Sequence, residues 1–174
     1  MFRVILRVAG MLALMLTTGS AVAQKFDLER RSDSLYVLTL TSGSDCDRWR
    51  LPYPVFRLEV GDLNGDGTDE AAVGVVKPTR FFPEPARRLF IFKNVDGRIR
   101  PLWLGSRLGG RLIDFRIVEG RICTLEQLAD SSFVNVEYKL SRFGLTPQPL
   151  EQRAKSPACL NSSESRQDSL NKVK

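Results

Sequence analysis

One short stretch of the chain carries the residue types and spacing to hold a hard cation. In Gly61-Asp62-Leu63-Asn64-Gly65-Asp66-Gly67-Thr68-Asp69-Glu70, side-chain oxygens recur at every second residue, on Asp62, Asn64 and Asp66. Gly67 follows where the backbone must turn sharply. The carbonyl of Thr68 comes next, and Glu70 closes the series. Calcium takes roughly six to eight oxygens, and a tight loop with alternating carboxylates supplies them. A plain hairpin turn needs only a pair such as Asn-Gly or Asp-Gly, which is less than this run provides. An ion held by so many ligands leaves little room for substrate. Its expected role is structural: to neutralise the loop and fix the segments beside it, with folding linked to metal by mass action.

The flanking sequence says what those segments are. An EF-hand carries a bidentate Glu at its twelfth position; counted from Asp62 that position is Val73, so an EF-hand is excluded. The run Glu70-Ala71-Ala72-Val73-Gly74-Val75-Val76 is apolar on both faces and rich in Val, which predicts a strand. Leu58-Glu59-Val60 predicts another. The loop therefore joins two strands.

That context resembles the calcium loop of FG-GAP and VCBS repeats, the β-propeller modules of integrin α chains and of many secreted bacterial proteins. The resemblance spans about residues 55–94. Gly61 to Gly74 follows Gly-Asp-x-Asn-Gly-Asp-Gly-x-x-acid-x-x-Val-Gly, and Leu89-Phe90-Ile91-Phe92 matches the next strand of such a repeat. The Phe-Gly pair of the repeat is absent before the loop. Val75-Val76 stands where Ala-Pro is expected, and Glu70 stands where Asp is usual. The resemblance implies Ca2+ on Asp62, Asn64, Asp66, Thr68 and Glu70.

The rest of the chain predicts strands and hairpins. Leu35–Leu40 is a first strand, Ser42–Asp45 a turn, and Trp49–Pro54 an extended segment. Asp96-Gly97 and Glu119-Gly120 are hairpin signals. Ile113, Phe115 and Ile117 alternate with polar residues, as do Val134, Val136, Tyr138 and Leu140. Two groups of four strands result, about 55–104 and 112–150. The expected fold is all-β: two antiparallel four-stranded blade-like sheets, as a partial propeller or a sandwich, in a monomer.

Met1–Ala23 has the pattern of a cleavable signal peptide: Arg3 and Arg7, an apolar core from Val8 to Leu16, then Ala21-Val22-Ala23. The apolar run is shorter than a membrane span, so no transmembrane anchor is expected. The expected organisation is a signal peptide over 1–23, a calcium-loop β domain over 24–150 and a polar, disordered tail over 151–174. Removing Arg3 and Arg7 lowers the formal charge from +6 to +4, a modest and dispersed excess. Cys46 and Cys159 flank the core and would either pair, outside the cytoplasm, or stay free. Cys123 reads as a buried thiol.

Lys77–Arg88 reads as a long loop, with Arg80, Phe81 and Phe82 as a candidate partner-binding patch. Trp49, Tyr53 and Trp103 are either stacking platforms or core. Catalysis has little support. The chain has no His, which removes the common nucleophilic triads and His-ligated zinc. No phosphate loop or dinucleotide fingerprint occurs. The expectation is a secreted or periplasmic calcium-binding module for an extracellular or envelope protein or glycan, without catalysis and without nucleic acid. The alternative is a small carboxylate-dependent hydrolase of an extracellular polymer.

Overall fold

A computed structural model of the chain describes residues 24–105, 108–142 and 144–148. The signal-peptide pattern and the polar tail lie outside the described residues. The described elements are β1 (Gln24–Ser32), β2 (Leu35–Ser42), β3 (Asp45–Leu51), β4 (Val55–Gly61), β5 (Glu70–Thr79), β6 (Phe82–Val95), β7 (Arg98–Leu104), β8 (Arg111–Val118), β9 (Arg121–Gln127), β10 (Phe133–Ser141) and β11 (Gly144–Pro147). They form three antiparallel meanders in chain order: β1-β2-β3, β4-β5-β6-β7 and β8-β9-β10-β11. The fold is all-β, and the two four-stranded sheets expected from the sequence are present. A third, three-stranded sheet joins them.

The four-stranded sheet β4–β7 lies in the middle. Ala71, Val73, Val75, Phe90, Phe92 and Ile99 face Phe26, Leu38, Leu40 and Leu51 of the first sheet. Ala72, Leu89 and Ile91 face Leu112, Phe115, Ile122, Val136 and Tyr138 of the third. Successive side chains of a strand point to opposite faces, so one alternation feeds two cores. This explains why β5 is apolar without a period: it is buried from Glu70 through Val75. Trp49 packs on Phe92 with ring centroids 5.5 Å apart, and Tyr53 meets Phe90 edge-on at 6.3 Å. Both rings, and the half-buried Trp103, therefore belong to the cores rather than to stacking platforms.

Four local expectations need correction. β1 and β3 make the first sheet larger than the single strand read from sequence; Phe26 and Leu28 alternate with charge, but only Phe26 is fully buried. In β8 the register shifts between Leu112 and Asp114, so Leu112 joins Phe115 on the core face in place of Ile113. Lys77–Arg88 is not a loop: β5 and β6 pair as far as Thr79 and Phe82, leaving Arg80-Phe81 as the turn. The outer part of β6 extends past β7 and carries Pro83 and Pro85, which have no N–H to offer a further strand. Finally, Cys123 is disulfide-bonded rather than a buried thiol, and Cys46 is free and exposed.

Between the middle and third sheets, Arg57 of β4 grips Asp114 of β8 through Nε at 2.7 Å and through its second terminal nitrogen at 3.0 Å. Gly74 of β5 is the point of closest approach. A Cβ there would lie 2.5 Å from Phe56 and 2.8 Å from Phe115. Those two rings already meet edge-on. Gly74→Ala should therefore overpack this interface and cost about 1–3 kcal/mol in urea unfolding. An unchanged unfolding midpoint would show that the sheets separate more easily than this contact implies.

Candidate metal centre

The acidic run connects β4 to β5, between Gly61 and Glu70, as the strand pattern requires. Its path is wound by its own side chains. One Asp62 carboxylate oxygen accepts the N–H of Gly65 at 2.7 Å and of Asn64 at 3.3 Å. The other accepts the N–H of Gly67 at 2.9 Å. Asn64 Oδ1 accepts from the Asp66 amide and Asp66 Oδ1 from the Thr68 amide, both at 2.8 Å. Short polar side chains that bond to backbone two residues on favour such turns. Gly65 and Gly67 sit at φ of 80° and 81°, where a side chain would be strained.

The far end is anchored in the fold. Glu70 is 1% exposed, and one of its carboxylate oxygens accepts the Leu63 N–H at 2.9 Å. Leu63 is itself buried in the core between the middle and third sheets. Gln24 of β1 donates to the Asp69 carbonyl at 3.0 Å and accepts from Asn94 of β6. Gly120, in the β8–β9 hairpin, passes close to the Asp62 carbonyl. All three sheets thus contribute to the bed of this loop.

The Asn64 side-chain nitrogen donates to Asp66 at 2.9 Å and to Glu70 at 2.8 Å. The carboxylates of Asp66, in the middle of the loop, and of Glu70, at its end, therefore meet at one atom. Asp62 instead faces backbone N–H groups, and among the described residues no three His, Cys, Asp or Glu side chains close on a single point. The five-donor set fits calcium by chemistry: all oxygens, three of them from carboxylates. Thr68 is drawn in by its amide, and its carbonyl is the donor that the sequence pattern assigns.

Electrostatics separates the two ends. Hydrogen bonding, led by the Gly67 N–H, holds Asp62 below the usual carboxylate range. Burial pushes Glu70 up, and the charges of Asp66 and Asp62 add to that shift. A divalent ion would offset both effects at Glu70.

The other candidate residues are remote. Arg80, Phe81 and Phe82 form the tip of the β5–β6 hairpin, at the opposite end of β5 from the acidic loop. Ten strand residues separate the two, roughly 30 Å at 3.3 Å per residue. Phe81 is 81% exposed, with the Arg80 guanidinium 5.9 Å from its ring centroid. The structure does not bring these residues to the acidic loop.

No protein-family model and no curated protein matches the chain. A solved structure described as a Xanthomonas Type IV Secretion System related protein is similar at 11% identity, over 75% of this chain and 90% of that one, with a TM-score of 0.26. A likeness of that size adds nothing to the account of fold or site.

Glu70 binds its proton more tightly folded than unfolded. Its contribution to stability is full below the ordinary value of 4.5 and is lost as pH rises through the folded value. In chelator, the wild-type chain should lose stability relative to Glu70→Gln as pH is raised from that point. Parallel pH profiles for the two proteins would show that burial at Glu70 carries no such cost.

Proposed function

We propose that this protein is an exported β module, stabilised by one calcium ion, that binds a protein or glycan outside the cytoplasm and performs no catalysis. The observation that carries the reading is the convergence of Asp66 and Glu70 on one Asn64 nitrogen, inside a loop already wound by Asp62. Asp62, Asn64, Asp66 and Glu70 would hold the ion with the Thr68 carbonyl. The ion would neutralise the acidic turn and fix the start of β5. The position of the loop, between the first two strands of a four-stranded meander, supports the FG-GAP-like reading. The sequence pattern of Met1–Ala23 supports export, and calcium is plentiful outside the cytoplasm, where a weak site stays filled. The exposed tip residues Arg80, Phe81 and Phe82 supply a contact surface on the far end of the same sheet.

Chelator should lower the melting temperature of the mature chain, and calcium should restore it. An ion present at a hundredfold excess over its Kd contributes about 2.7 kcal/mol. Asp66→Ala should reproduce the effect of chelator and abolish the response to calcium. Asp69→Ala should change little, because Asp69 is exposed and holds Gln24 through its carbonyl rather than its side chain. Melting that ignores both chelator and Asp66→Ala would remove the metal from the account.

At the tip, Phe81→Ser should change unfolding free energy by less than about 0.5 kcal/mol and weaken retention on envelope fractions. A large loss of stability would instead assign the ring to the fold.

A further inference from the structure

A second polar feature lies away from the acidic loop and depends on neither the metal nor the export reading. A cavity of about 150 Å³ opens between the outer part of β6 and the segment that leads into β8. Phe82, Arg87, Arg88, Gly110 and Arg111 line it, and no acidic side chain does. The Arg88 Nε is buried and has no hydrogen-bond partner. Its guanidinium lies 5.8 Å from the centroid of the Phe82 ring. Among the described residues, neither Arg88 nor Arg111 has an ion-pair partner. Arg87 is committed: it donates to the Ile113 carbonyl of β8 and lies 4.7 Å over the Phe56 ring. The adjoining carboxylate, Glu126, is fully buried, with its oxygens held by the Gly110 N–H and the Thr124 hydroxyl.

A buried donor without an acceptor is costly, and a ligand oxygen recovers that cost. Guanidinium groups match phosphate in geometry as well as charge. Arg88 and Arg111, neither ion-paired among the described residues, offer two guanidinium groups, which suit a dianion better than a single carboxylate. The space is smaller than the roughly 300–1,000 Å³ that whole small-molecule ligands occupy, so it suits one group rather than a nucleotide. The geometry points to a phosphate subsite between β6 and β8, with Arg88 and Arg111 as the ligating residues and Phe82 as one wall. The phosphate is either free in solution or the headgroup of a lipid.

Titration of the full chain with inorganic phosphate, followed by phosphorus NMR, tests the subsite. Saturable binding is expected, weakened at least roughly tenfold in Arg88→Gln and in Arg111→Gln, and unchanged in Arg100→Gln on the exposed face of β7. Arg111 is exposed, so its variant carries the test even if Arg88→Gln fails to fold. Sedimentation with phosphatidylglycerol vesicles but not phosphatidylcholine vesicles, lost in Arg111→Gln, assigns the lipid source. Phosphate binding without vesicle binding assigns the soluble one. Absence of saturable phosphate binding, equal weakening in Arg100→Gln, or equal competition by acetate overturns the proposal.

Discussion

The fold depends on a strand with no solvent face. From Glu70 to Val75 every residue of β5 is buried, because the middle sheet is covered on both sides. A strand in that position must send alternate side chains into two different cores. Ala71, Val73 and Val75 go one way and Ala72 the other. The geometry also forces Gly74, since Phe56 and Phe115 occupy the space a side chain would take. The ion pair of Arg57 with Asp114 then ties the middle sheet to the third from its edge strand.

That constraint gives the acidic loop its character. Glu70 opens the buried strand, so a carboxylate stands where an apolar residue would ordinarily be. Its oxygens are engaged by Leu63 N–H and Asn64, but its charge still faces Asp66 and Asp62. Hydrogen bonds from backbone satisfy Asp62 and leave the repulsion at Glu70 unrelieved. A divalent cation would relieve it. The metal and the burial of β5 are in this sense one question: the ion would act at the point where charge enters the core.

Much of this was legible in the residues. The strands before and after the loop, the hairpins at Asp96-Gly97 and Glu119-Gly120, and the half-buried strand through Val134, Val136, Tyr138 and Leu140 follow from period and turn chemistry. The three-stranded first sheet was not, because β1 and β3 are rich in charge and covered on one face only. The bulge in β8 moved Leu112 into the core, and a bulge leaves no mark on simple alternation. Pro83 and Pro85 disguised the long hairpin as a loop; proline is tolerated there because the strand is unpaired on that side. The arginine cavity was invisible, since Arg88 and Arg111 are distant in sequence and only the packing of β6 against β8 joins them. Likewise, pairing of cysteines depends on which strand face each occupies, and Cys46 projects from an exposed position.

The account turns on an ion meeting the Asn64 amide group, Asp66 and Glu70 at one place. Calcium titrated into chelator-stripped protein, followed through the Asn64 side-chain and the Leu63, Gly65 and Gly67 backbone resonances, reads that place directly. The account predicts saturation at one ion per chain, with the largest shifts at these four residues and small ones on the hairpin tip. Unmoved loop resonances, or shifts spread evenly over surface acids, would contradict it.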